Sequence, residues 1–123
     1  MDNAHLLTVA QRTVAKTIRR LNKLYPQFTR DRIDVKINNR LKTTAGRCFI
    51  EMGYIDLCPS LMRENLDEFI KVTIPHEVAH QAAWDLFEEP AHGKPWKLIM
   101  LALDLEPTPW HHMTTAAQRA KRC

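Results

Sequence analysis

The segment of residues 73–84 contains the pattern His-Glu-x-x-His, formed by His76, Glu77 and His80. In an α-helix, residues four apart lie on the same face, so the two imidazoles can point at one position. A zinc ion held there would lie about 2.0–2.1 Å from each ring nitrogen. Glu77 stands beside the first histidine but off the line of the ligands, which suits a carboxylate that accepts a proton from zinc-bound water. The pattern therefore predicts a helix with a catalytic zinc site.

Apolar residues surround this pattern and favour a buried helix, namely Val78, Ala82, Ala83 and Phe87. One alternative is a core helix whose two histidines are satisfied by ordinary hydrogen bonds. Two histidines and a glutamate are costly to bury unless they are paired or bind a metal. We therefore favour the metal site over the purely structural helix.

A catalytic zinc ion needs a third protein ligand and an open coordination position. The metzincin pattern would place Gly at 83 and His at 86, but this chain has Ala83 and Leu86, so that class is excluded. A gluzincin would place a Glu about one helix further on, where residues 98–105 offer only Asp104.

The better candidate for the third ligand is His92, twelve residues after His80. We expect the helix to run to about Glu88 and the chain to turn through residues 89–91, which would bring His92 back over the site. Pro95 can then begin a new helix. The remaining candidate ligands are acidic, namely Glu88, Glu89 and Asp104.

These segments together resemble the SprT-like metalloprotease family, which includes the DNA–protein crosslink protease Spartan. The family pattern is His-Glu-x-x-His, a long return and then His-Gly-x-x-Trp, which matches here at His76, Glu77, His80, His92, Gly93 and Trp96. Residues 44–47 and 55–62 are similar to the family's Ala-Gly and strand-to-Leu-Asn-Pro segments, and the resemblance covers roughly residues 40–112. The chain departs from the family at Cys58, where Asn is usual, and it stops at Cys123, where bacterial members begin a cysteine-rich zinc ribbon.

The resemblance implies a zinc-dependent endopeptidase with one zinc ion per chain, held by His76, His80 and His92. Glu77 would act as the general base that takes the proton of the attacking water. The substrates implied are proteins that are attached to DNA or lie near it. The competing class is a non-catalytic zinc module that binds nucleic acid or the transcription machinery, and the intact Glu77 argues against it, because a structural zinc site has no use for that carboxylate.

The order of the predicted elements indicates an α+β fold, which we expect to be a zincin-like minidomain in a single domain over residues 1–123. Residues 3–24 are predicted to form one amphipathic helix. Alternating apolar and polar residues predict three short strands at 32–38, 47–52 and 54–58, which we expect to form a small antiparallel sheet. Proteases of this type commonly hold an extended peptide at a sheet edge, so the sheet is the predicted substrate platform.

Helical spacing resumes after the strands, but Pro75 cannot donate a helix hydrogen bond, so either the helix kinks there or Pro75 begins the helix of His76. Residues 95–104 are predicted to form the next helix, with Trp96 in the core. Residues 113–123 are predicted to be a basic helix or tail, or the start of a truncated zinc ribbon. His111 and His112 precede this tail, and the family often carries a His here, closest to His112, which either helps to polarise the scissile carbonyl or lies on the surface.

Charge is distributed unevenly along the chain. Residues 1–50 carry eleven Lys/Arg and three Asp/Glu, whereas residues 51–110 carry four and eleven. The first helix has a basic stripe that suits non-specific contact with a phosphate backbone, formed by Arg12, Lys16, Arg19 and Lys23. The alternative is a solvated basic face. Single strands would be favoured if Trp110 or Tyr54 is exposed for stacking.

The chain has an odd number of cysteines without a disulfide spacing, namely Cys48, Cys58 and Cys123, which we interpret as reduced cytosolic thiols. No secretory signal or membrane-spanning run is visible in the sequence. We therefore expect a cytoplasmic, monomeric protein, associated with the nucleoid if it binds DNA.

Overall fold

The computed structural model describes the backbone of residues 1–114 and 119–121 and the side chains of residues 1–109. A long helix is followed by three strands, a series of helices and two further strands, so the predicted α+β class is confirmed. The elements are α1 (Asn3–Leu24), β1 (Asp34–Ile37), β2 (Gly46–Phe49), β3 (Tyr54–Leu57), α2 (Pro59–Glu64), α3 (Leu66–Glu68), a π-helix (Phe69–Thr73), α4 (Ile74–Phe87), α5 (Lys94–Ala102), β4 (Trp110–Thr114) and β5 (Arg119–Lys121).

Helix α1 has the bounds that its amphipathic spacing predicts. The carboxylate of Asp2 caps its first turn by accepting a hydrogen bond from the backbone N–H of His5 at 2.8 Å. Its apolar face is buried against β1 and α4 and consists of Leu6, Ala10, Val14, Ile18 and Leu21. The opposite face is exposed and carries the basic stripe.

The three-stranded sheet has the order β1-β3-β2, with β3 in the centre. Strands β2 and β3 form the predicted antiparallel pair, with Cys48 opposite Ile55. Strand β1 pairs with β3 in parallel, with Val35 opposite Ile55, so the prediction of an antiparallel sheet was wrong for this pair and the sheet is mixed. After β1 the chain crosses to form β2 at the opposite edge of the sheet, and β3 then lies between β1 and β2. The alternation of apolar and polar residues does not indicate this strand order.

The segment that leads into α4 resolves the two alternatives for Pro75. Residues of the π-helix shift the hydrogen-bond register, so that the backbone N–H of Ile74 bonds the carbonyl of Phe69, five residues back. Pro75 then falls in the first turn of α4, where its missing N–H costs nothing. The chain therefore stays helical from the π-helical turn into α4, which begins at Ile74, one residue before Pro75.

Helix α4 ends close to the predicted position. Glu88 adopts a left-handed conformation with φ 55° and caps the helix, its N–H bonding the carbonyl of Trp84. Gly93 then precedes α5, with Pro95 in the first turn. The predicted turn is confirmed, and Trp96 is fully buried in the core with Ile99 and Met100.

The C-terminal region differs from the prediction of a helix or tail. Trp110–Thr114 pairs antiparallel with Arg119–Lys121, because strand pairing overrides local preference in short segments. The side chains of Trp110, His111, His112 and Cys123 lie outside the described residues, so the roles predicted for them stay predictions.

Cys48 and Cys58 are thiols that form no disulfide among the described residues. Within the described part of the chain, none of the helices combines the length and the apolar composition that a bilayer span requires.

The left-handed cap of α4 predicts a stabilising substitution. Glu88→Gly should raise the free energy of unfolding by on the order of 1 kcal/mol, because glycine adopts positive φ without a steric penalty. Urea unfolding measures the change. The control is Gln11→Gly at an exposed position inside α1, which should lose about 1 kcal/mol. Equal destabilisation by both substitutions would contradict the left-handed cap.

Candidate metal centre

Helix α4 presents two histidines on one face, as its sequence spacing requires. His76 is fully buried and His80 is 5% exposed, and their ring centroids lie 5.0 Å apart. Residues 74–83 of this helix are all buried, so both imidazoles are shielded by protein on most sides. Such shielding strengthens electrostatic interactions at the site because it excludes water.

The loop between α4 and α5 brings a third imidazole to this pair. The Nε2 atoms of His80 and His92 lie 3.0 Å apart, and the candidate ligand atoms of the three histidines all lie within 4.8 Å of one another. Two nitrogens bound to one tetrahedral zinc ion at 2.0–2.1 Å are about 3.4 Å apart. The three histidines are therefore positioned to bind a metal ion.

The acidic alternatives to His92 are not part of this group. Within the described residues, the grouping of candidate ligands contains only the three histidines. Asp104 forms an ion pair with Arg20 of α1 at 2.7 Å. Glu89 accepts a hydrogen bond from the backbone N–H of Ala91, and its carboxylate packs directly against Gly93, where any side chain would collide with it. Glu89 thus shapes the loop that holds His92.

Trp96 of α5 packs against all three imidazoles. Its ring centroid lies 4.8 Å from that of His76, 4.6 Å from that of His92 and 5.2 Å from that of His80, with which it stacks at an interplanar angle of 19°. The indole is fully buried. The sequence predicts Trp96 in the core, and the structure adds its contact with the three rings. The spacing His-Gly-x-x-Trp indicates this contact, since it puts Trp96 in the first turn of the helix that directly follows His92.

Glu77 lies between the histidines and the sheet. It is fully buried, and its Oε2 lies 3.8 Å from Nε2 of His76. On its other side is Gly46 of β2, where a Cβ would lie 3.5 Å from Cγ of Glu77 and 2.9 Å from Cδ2 of Leu57. An added Cβ would therefore collide with Leu57 but would only touch Glu77. Strand β2 passes beside Glu77 at this position, a contact that the sequence did not reveal.

The residues predicted to contact nucleic acid differ in how exposed they are. All four members of the basic stripe are exposed on α1. Tyr54 is half-buried, and its ring stacks on Phe49 at 4.5 Å while Nζ of Lys36 lies 4.1 Å from its centroid. The ring of Tyr54 is thus already in contact with two neighbours, which weakens the idea that it stacks on bases.

The chain is similar in sequence to two curated proteins of the same name. The curated protein named Protein SprT from Salmonella arizonae is 38% identical over 82 residues, which cover 66% of this chain and 46% of that relative. Protein SprT from Salmonella newport is 46% identical over 59 residues, which cover 47% of this chain and 36% of that relative. The chain therefore spans less than half the length of these relatives. No solved structure matches the chain.

The family comparison covers most of the molecule. The sequence model described as the SprT-like family matches residues 14–116, from the second half of α1 to beyond β4. The match includes the three grouped histidines, Glu77 and Trp96. The chain belongs to the SprT-like family.

Proposed function

We propose that this chain is a zinc-dependent endopeptidase domain. The observation that carries the proposal is the buried Glu77, which lies between a group of three histidines and the edge strand of a sheet. A purely structural metal site has no need of a carboxylate in that place. Glu77 and the histidine group thus combine the parts that hydrolysis requires.

The donor atoms suit zinc. Imidazole nitrogen is a common zinc ligand, and three protein ligands are typical of catalytic zinc sites, which keep one open position. When bound, zinc lowers the pKa of water and polarises a carbonyl group. Trp96 would hold the imidazoles of His76, His80 and His92 in place by packing against each ring.

Glu77 would be the general base and then the general acid. Its carboxylate would accept a proton from the attacking water and pass it to the leaving amine. The full burial of Glu77 keeps this proton transfer away from bulk solvent.

Strand β2 is the proposed substrate platform. It is an edge strand of the mixed sheet, and it lies against α4. An extended peptide that adds to a sheet edge is held by main-chain hydrogen bonds and needs no particular side chains. Because Gly46 belongs to β2 and contacts Glu77, a peptide on this edge would pass the candidate catalytic group.

A DNA partner is proposed for the basic stripe of α1. Its four exposed cations could neutralise phosphates, and no base-reading element is present among them. Such binding would bring a cytoplasmic protein to the nucleoid and to proteins attached to DNA. The second candidate function, a non-catalytic nucleic-acid-binding zinc module, is favoured by the same exposed stripe and disfavoured by Glu77.

The metal proposal predicts one zinc ion per chain and a strong dependence on His92. His92→Ala should weaken zinc binding by more than about 100-fold, because losing a ligand costs more than the 10–100-fold typical of outer-shell partners. Chelator competition and elemental analysis measure this. His5→Ala, an exposed histidine on α1, is the control and should bind zinc normally. Unchanged affinity in His92→Ala would reopen Glu88, Glu89 and Asp104 as ligands.

The catalytic proposal predicts that Glu77→Gln keeps the fold and the zinc but loses proteolysis. Loss of a general base typically lowers the rate by about 10²–10⁴. The assay uses zinc-loaded protein with unfolded protein substrates and with DNA-bound protein, and Glu106→Gln, an exposed residue, is the control. If the wild type cleaves no faster than Glu77→Gln, the enzyme proposal fails and the binding-module function leads.

The DNA proposal predicts binding that weakens steeply with salt. Four phosphate contacts give a slope of about −3.6 in log affinity against log salt on duplex DNA. The test variant replaces the stripe with Glu at all four positions. The control variant has the same net charge as the test variant, because Glu replaces four other exposed cations, namely Lys36, Arg40, Lys42 and Lys97. Fluorescent oligonucleotide titrations in which both variants bind alike would show that the stripe has no specific role.

A further inference from the structure

Gln81 is a buried polar residue that the proposed hydrolysis does not use. It follows His80 directly in α4 and is fully buried. Its Nε2 donates hydrogen bonds to the carbonyl oxygen of Ile50 at 3.0 Å and to Oδ1 of Asp85 at 2.9 Å. Its Oε1 accepts a weak hydrogen bond from Sγ of Cys48 at 3.8 Å. A buried amide with this many partners fixes the relative position of the segments that it joins.

The partners of Gln81 connect α4 to the edge strand. Cys48 lies in β2, and Ile50 is the residue that follows the strand. Asp85 lies one turn further along α4 than Gln81. The amide therefore bridges the helix that holds two of the grouped histidines to the strand proposed to hold substrate.

Helix and strand run side by side with matching repeats. Glu77, Gln81 and Asp85 are four residues apart and form one row on α4, with a rise of about 6.0 Å per step. Alternate residues of a strand, such as Gly46 and Cys48, are about 6.6 Å apart. Glu77 lies against Gly46, and Gln81 lies against Cys48. The two rows therefore stay in register over the one step that joins these two pairs.

The far end of the row is held by a second contact. Arg30 forms an ion pair with Asp85, and its guanidinium packs against Gly53, where a Cβ would lie 3.0 Å from Nη1. Gly53 has φ 73° and belongs to the turn between β2 and β3. Arg30, Gln81 and Asp85 thus fasten both the edge strand and its following turn to α4.

We infer that Gln81 is a positioning residue, whose amide sets the register of β2 along α4 and so the place of a bound peptide relative to Glu77. The catalytic part of this inference rests on the proposed function. If the amide is lost, the main chain of β2 can still bind a peptide, but the scissile carbonyl lies in the wrong place. A misplacement of about 1 Å can cost about 10²-fold in rate.

The test variant is Gln81→Met, which keeps the side-chain length and removes the hydrogen bonds. Hydrogen exchange measured by mass spectrometry on the zinc-loaded chain should be at least ten times faster in residues 46–53 than in the wild type. Zinc stoichiometry should stay unchanged. In peptide hydrolysis, kcat should fall by about 10–100-fold with KM within about threefold of wild type.

A matched control separates positioning from general stability. Ile18→Val removes one methylene from the buried face of α1 and destabilises the core mildly. It should leave exchange in residues 46–53 and the ratio of kcat to KM near wild type. If Gln81→Met does not fold, Arg30→Met at the less buried end should still raise exchange, confined to residues 50–53.

The outcomes distinguish this inference from the proposed function. Exchange in residues 46–53 that is equal in Gln81→Met, Ile18→Val and wild type would overturn the inference and leave Gln81 as core filling. If Gln81→Met cannot be prepared, equal hydrogen exchange of residues 50–53 in Arg30→Met and in the wild type would overturn the inference. A wild type without peptidase activity would defeat the proposed function, while the exchange measurement would still decide whether Gln81 sets the register of β2.

Discussion

The burial of ionisable side chains on α4 is the constraint on which the rest of the structure depends. His76 and Glu77 are fully buried and His80 nearly so, and uncompensated burial of such groups costs several kcal/mol. The surrounding elements supply what these groups need. The loop after α4 adds the imidazole of His92, α5 adds the aromatic wall of Trp96, and β2 approaches without a side chain at Gly46.

Helix α4 needs cover on nearly all of its circumference, since every residue from 74 to 83 is buried. Helix α1, helix α5 and strand β2 each pack against it. The π-helix before it lets Pro75 enter the first turn without breaking a hydrogen bond. On the side of β2, Gln81 contacts the strand segment through hydrogen bonds instead of apolar packing. We infer that these bonds hold β2 against α4 and also set its position along the helix axis.

Local periodicity made much of the fold predictable. The spacing of apolar residues gave α1 its bounds from Asn3 to Leu24, and the four-residue spacing of His76 and His80 placed both on one helix face. The turn before Pro95 also followed from local signals, and it correctly anticipated that His92 returns to the pair. These features depend on residues close in sequence, for which helix geometry and backbone preferences suffice.

The features that only the tertiary structure decided involve residues distant in sequence. Parallel pairing of β1 with β3, the strand pairing of Trp110–Thr114 and the contact of Gly46 with Glu77 each depend on how the chain crosses itself. The alternation of apolar and polar residues in a strand is the same whichever strand it pairs with, so the pattern cannot specify strand order. The sequence by itself determined which side chains share a helix face and where the chain turns, and the tertiary structure alone decided which strand lies beside Glu77, because that choice depends on long-range packing.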